Sequence, residues 1–169
     1  MAFIQIDPRS ISDNPVELIG DDWGLLAAGE MGDCNAMTVS WGAMGVMWSK
    51  PAVTVYVRQS RYTKEYMDKG ELFTLSFFDE DCRDALALCG RVSGRDCDKI
   101  AEAGLTPVDL GGVAGFEQAR LTLVCRKQFA QVLEPESFVD REVIDRCYPD
   151  SDWHTMYIGR IEAVYTRAE

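Results

Sequence analysis

Apolar positions along this chain recur mainly with a period of two, in short runs broken by Gly, Pro, Asn and Asp. Phe3, Ile4 and Ile6 predict a short opening strand, and Pro8 to Pro15 a loop. Trp23 to Ala28 predicts a second strand, followed by a polar, Gly-containing turn over Gly29 to Asn35. Asn35 to Trp41 then alternates, with Met37, Val39 and Trp41 on one face and Ala36, Thr38 and Ser40 on the other. Gly42 to Ser49 is rich in Gly and Met and reads as a flexible apolar connection. Ala52 to Arg58, Leu72 to Phe78, Ala119 to Leu133 and Met156 to Thr166 are the remaining strand-like runs.

Helical spacing is shorter and rarer. Ser60-Arg61-Tyr62-Thr63 opens a helix that stops near Gly70. Asp79 or Asp81 can cap a helix carrying Cys82, Ala85, Leu86 and Cys89, which Gly90 ends. Asp96 is placed to cap a helix reaching Gly104, and Pro135 to Tyr148 predicts another short helix. Gly111, Gly112 and Gly115 mark a loop. Strands joined by loops and short helices, without a β-α-β rhythm, predict a mainly β chain. The expected form is an antiparallel barrel with peripheral helices. No G-x-G-x-x-G opens a helix, which argues against a dinucleotide-binding Rossmann unit.

Four segments hold candidate chemistry. The small polar face of Asn35 to Trp41 suits a planar, hydrogen-bonding ring, with Thr38 and Ser40 as donors; periodicity alone favours a half-buried strand with hydroxyls in water. Ser60, Arg61 and Thr63 combine hydroxyls, a helix start and a forked cation, a set that binds phosphate or simply caps. Cys89 to Lys99 gathers Arg91, Arg95 and Lys99 around Gly90, Ser93 and Gly94, as an anion cradle or an interhelical loop. His154 is the sole imidazole, able to donate to a nicotinamide amide or to serve as a structural residue at a strand start. No Ser/His/Asp order or paired-carboxylate spacing points to hydrolysis.

At 169 residues, with 47% hydrophobic and 27% charged, the chain predicts one domain over 1–169. Its formal net charge of -11 argues against nucleic acid or an anionic membrane as partner and makes a local cationic cluster conspicuous. No apolar run is long enough to span a bilayer, and Met1 to Pro8 lacks a secretory signal's pattern. The six cysteines form no Cys-x-x-Cys pair, which with one histidine disfavours a zinc site and fits a reducing cytoplasm. Cys82, Cys89 and Cys97 read as small buried apolar groups.

Five blocks in order, NAMTVSWG from Asn35, KPAVTVYVRQSRYT from Lys50, FTLSFF from Phe73, CGRVSGRDCDK from Cys89 and HTMYIGRIEAV from His154, resemble the flavin reductase-like family and within it the flavoredoxin-like branch. The resemblance implies a six-stranded antiparallel Greek-key split β-barrel, the FMN-binding split barrel, which forms a homodimer and binds FMN non-covalently near the subunit boundary. By that resemblance Asn35, Met37, Thr38, Ser40 and Trp41 surround the flavin, and Ser60, Arg61 and Thr63 hold its phosphate end. Cys89, Gly90, Ser93, Gly94 and Lys99 complete the cradle, and His154 orients a nicotinamide. Trp153 stands before His154 where such reductases commonly carry a small or acidic residue. Three functions follow: an oxidoreductase passing electrons from NAD(P)H or another low-potential donor to a flavin, metal or protein acceptor; a flavoredoxin-type carrier serving a redox protein partner; or a non-catalytic FMN-binding module.

Overall fold

The computed structural model describes residues 3–168; Met1, Ala2 and Glu169, part of the single-domain expectation and, for the first two, of the N-terminal signal reading, lie outside them. The described residues form ten strands and five α-helices. In chain order these are β1 (Phe3–Ile6), α1 (Pro15–Gly20), β2 (Gly24–Glu30), β3 (Asp33–Val39), β4 (Gly42–Met47) and β5 (Lys50–Arg58). Then come α2 (Thr63–Lys69), β6 (Leu72–Phe77), α3 (Arg83–Arg91), α4 (Lys99–Glu102), β7 (Pro107–Asp109) and β8 (Ala114–Phe116). The chain closes with β9 (Leu121–Val132), α5 (Glu142–Cys147) and β10 (His154–Arg167).

One antiparallel sheet runs β3-β2-β6-β9-β10-β5-β4, with β1 also paired to β10, and β7 and β8 form a separate hairpin. The main sheet thus has eight strands where six were expected. The difference lies at its margins. β10 is 14 residues long and serves three neighbours: β9 along its length, β5 against His154 to Arg160, and β1 against Val164 to Arg167. Register shifts at Ile158/Gly159 and Ile161/Ala163 bend it between the two partners.

β4 is the second addition and corrects the flexible connection expected over Gly42 to Ser49. It pairs with β5 from Gly42↔Val55 to Met47↔Lys50, and the turn at Trp48 and Ser49 holds both residues at positive φ, 49° and 61°. Such a turn matches the twist of a hairpin, though Asn and Gly usually occupy it. Further departures are small. α1 and the β7–β8 hairpin were not expected. The Pro135 to Tyr148 helix resolves into a 3-10 turn at Pro135–Ser137 and α5. Neither Asp79 nor Asp81 makes a side-chain cap for α3; a 3-10 turn at Glu80–Cys82 leads into it instead. Asp98, not Asp96, caps α4, its carboxylate accepting from the Ala101 N–H at 3.1 Å.

β3 and β4 stand at opposite ends of the strand order, yet only Ser40 and Trp41 separate them in sequence. Three peptide units reach about 11 Å at most. The sheet must therefore curl until its ends approach, and Ser40–Trp41 bridges the split. Inside the curl Leu26, Met37, Val39, Val53, Phe73, Phe77, Leu123 and Tyr157 form the main core. Outside it, Leu25, Ala27 and Ala36 pack under Leu86, Cys89, Ile100 and Phe116. The small face of β3 is thus covered by α3 and not by solvent. Trp41, expected on the same face as Met37 and Val39, lies past the strand's end and stays half exposed. Cys89 is buried as expected, whereas Cys82 and Cys97 are half-buried. No helix among the described residues is long and apolar enough to cross a membrane.

Candidate functional site

The split opens a cleft of about 240 Å³. Seven of the expected residues line it: Met37, Thr38, Ser40, Trp41, Arg61, Gly90 and His154. They arrive from β3, the Ser40–Trp41 bridge, the turn before α2, the end of α3 and the start of β10, each for a local reason. β3 ends at Val39, which frees Ser40 and Trp41 to turn across the gap. The Thr38 hydroxyl donates to the Leu86 carbonyl at 2.5 Å, tying the strand to α3. Gly90, in the last turn of α3, accepts from Arg61 Nη1 at 2.9 Å, which fixes the guanidinium at the cleft wall. A Cβ on Gly90 would meet Thr38 at 3.4 Å, so glycine here keeps the wall thin.

A second groove of about 390 Å³ lies around the start of β3, with Asn35, Gly94 and Lys99 in its lining beside Tyr62 and Arg95. Asn35 is buried and donates to Thr63 Oγ1 at 2.7 Å, bracing β3 against α2. A Cβ on Gly94 would sit 2.1 Å from Asn35 Oδ1, so the loop can dock only as glycine. Buried Lys99 donates to the carbonyls of Val92 at 3.0 Å and Cys89 at 3.2 Å, latching the end of α3. The Ser93 hydroxyl accepts from the Arg95 N–H at 3.2 Å. Cys89 contributes its carbonyl, because its side chain is enclosed in the outer core. Ser60 stands apart from both linings: its N–H and hydroxyl donate to the Asp152 carboxylate at 3.1 and 2.5 Å.

Three cleft residues escaped sequence reasoning: Val39, Tyr56 and Arg58. Arg58 looked like a strand end. Only the β5–β10 register, which pairs it with His154, reveals its place. Its guanidinium donates to the Asp152 and Cys147 carbonyls at 2.9 and 3.0 Å and lies over the Tyr148 ring, 5.2 Å from its centre. Tyr148 stacks on Trp153 and places its hydroxyl 2.8 Å from His154 Nδ1. The Trp41 ring is 5.2 Å from that of His154, tilted by 47°.

Electrostatics set this region apart in a chain of charge -11. Burial and then the neighbouring Arg58 lower the pKa of Arg61. Burial and then Arg61 bring Lys99 down to about 8. Burial and then Arg58 bring His154 down to about 4, so the ring is neutral at physiological pH. Burial raises the Tyr148 pKa, which keeps its hydroxyl protonated. A Tyr148 hydroxyl that donates to Nδ1 leaves the His154 proton on Nε2, and one that accepts from it leaves Nε2 as an acceptor. Cations that disfavour one another's charge form a set that an anionic ligand relieves.

Comparison with known proteins gives this geometry a context. No curated protein matches the sequence. Among solved structures, an FMN-binding domain of a flavin reductases-like enzyme from Shewanella baltica OS155 superposes with a TM-score of 0.68 at 14% identity, over 98% of this chain and 77% of that one. Flavoredoxin from Methanosarcina acetivorans gives 0.65 at 24% identity over 97% and 75%. The styrene monooxygenase flavin reductase from Pseudomonas putida S12 gives 0.61 at 20% over 86% and 79%. These likenesses establish the shared fold. A family model described as the flavin reductase like domain matches residues 23–169, which take in every element bordering the split. The chain belongs to the flavin reductase-like domain family.

Proposed function

We propose that the protein is an FMN-binding oxidoreductase that takes electrons from NAD(P)H or another low-potential donor and delivers them to a flavin, a metal chelate or a redox protein. The observation that supports this reading most strongly is the meeting, in one cleft, of Thr38 and Ser40, the cation pair Arg58 and Arg61, and a neutral His154. When bound, FMN supplies the reversible uptake and release of a hydride or electrons. The chain's own residues do the rest. Arg61, with Ser60 and Thr63, holds the phosphate end. Asn35, Gly94 and Lys99 shape the neighbouring wall through the Asn35–Thr63 brace and the Lys99 latch, with Cys89, Gly90 and Ser93 providing backbone close to it. Met37, Thr38, Ser40 and Trp41 border the ring, with the Ser40 hydroxyl as the donor matched to negative charge that grows on reduction while the Thr38 hydroxyl stays on the Leu86 carbonyl. His154, held by Tyr148 at Nδ1, presents Nε2 to the nicotinamide of the donor.

The proposed setting is the cytoplasm, and the proposed assembly is a homodimer. Trp41, Val46, Met47, Trp48 and Phe129 are exposed, an apolar set on the β4 side of the sheet that a second copy would cover. The test of donor use is anaerobic. Protein loaded with FMN is mixed with NADH or NADPH, and loss of the oxidised flavin absorbance is followed. Reduction by either nucleotide is expected. If neither reduces it while a small redox protein does so rapidly, the carrier function replaces the reductase one.

A further inference from the structure

The Ser60 donors assigned above to a phosphate are already in use. Asp152 Oδ1 accepts the Ser60 N–H at 3.1 Å and Oδ2 accepts its hydroxyl at 2.5 Å. The backbone around this carboxylate is fixed. Arg58 Nη1 holds the Asp152 carbonyl at 2.9 Å, and the Trp153 carbonyl accepts from the Gln59 N–H at 3.2 Å. Asp152 also bears on the rest of the cleft: its charge acts on both Arg61 and His154. A carboxylate with two oxygens on a serine N–H and hydroxyl offers the same chemistry as two oxygens of a phosphate. The residue that carries it is two positions before the strand start at His154.

We propose that Asp152 is an internal anion that competes with the flavin phosphate for Ser60, and so keeps FMN exchangeable instead of permanently held. This rests on the FMN reading above. A phosphate that takes the Ser60 donors must displace the carboxylate and leave it solvated, so phosphate affinity is reduced by what that exchange costs. Riboflavin, which has no phosphate, does not meet the competition. The device acts on the difference between the two flavins and not on ring binding, which a purely structural Asp152 would not do.

The experiment measures FMN and riboflavin dissociation constants for the full chain and for Asp152→Asn, which keeps an acceptor for the Ser60 N–H and removes the charge. Both are repeated in a Ser60→Ala background. FMN is expected to bind about tenfold more tightly to Asp152→Asn, with riboflavin changed less than about twofold. In Ser60→Ala the gain for FMN is expected to shrink at least about twofold, because the hydroxyl, one of the two shared donors, is gone while the backbone N–H remains. Equal changes for both flavins, weaker FMN binding, or an undiminished gain in Ser60→Ala would overturn the proposal while leaving the FMN reading standing. Failure of FMN to bind either the parent or Asp152→Asn would overturn both.

Discussion

His154 shows how far one side chain's chemistry depends on its surroundings. Burial and the nearby Arg58 hold its pKa at about 4, below the ordinary 6.5. A base whose pKa is depressed by folding takes up more protons when unfolded across that interval, so stability is full above about pH 6.5 and declines as pH falls towards 4. The loss is at most about 3 kcal/mol. His154→Gln is expected to flatten that part of a urea-denaturation profile taken against pH; an unchanged profile would mean the ring is not held neutral. The sequence offered the residue but not its state. His154 stood out as the single imidazole, whereas Tyr148, which holds its Nδ1, and Arg58, which disfavours its charge, are six and 96 positions away in sequence and reach it only through the segment after α5 and the β5–β10 register. Arg61 and Ser40 were legible because their residue types carry chemistry on their own. Val39 and Tyr56 carry none until the strand ends bring them to the cleft.

At the scale of elements, long alternating runs gave themselves away and exposed ones did not. β5 alternates, β6 and the first half of β9 are apolar enough to be buried on both faces, β10 is largely buried over its first half, and each falls close to its expected bounds. β4 lacks that signal: it is mostly exposed, contains Gly42 and Gly45, and turns through Trp48 and Ser49 where Asn-Gly would have announced a hairpin. Replacing Ser49 by Gly should relieve the positive φ and stabilise the protein by about 0.5–1 kcal/mol in urea denaturation; a loss of stability would show that the turn conformation is not the strained one described. The loop after α3 makes the opposite prediction. Gly94→Ala places a methyl against Asn35 Oδ1, breaks the Asn35–Thr63 brace and should cost about 1–3 kcal/mol, with weaker FMN binding alongside. Wild-type stability and FMN affinity in that variant would remove the brace from the account.

Across the whole molecule, the barrel's split, the cationic cleft and the exposed apolar set lie on one continuous stretch of architecture, from the β3 end through Ser40–Trp41 to β4. Four of the five blocks that carry the resemblance contribute residues to the cleft or its neighbouring groove, and the fifth, FTLSFF, is β6 inside the sheet, which is why their order in the sequence was informative before any contact was known. The dimer expected from that exposed set can be read by sedimentation: a particle of two chains, returning to one on Trp48→Glu. A single chain in both would leave the apolar set without its proposed cover. The most direct test of the account is a titration of FMN into the purified protein, followed by flavin fluorescence, beside Arg61→Ala with its fold checked by circular dichroism. Saturable binding of one FMN per chain is expected, with a loss of at least about tenfold in affinity for Arg61→Ala. An absence of saturable binding, or equal affinity in the two proteins, would contradict it.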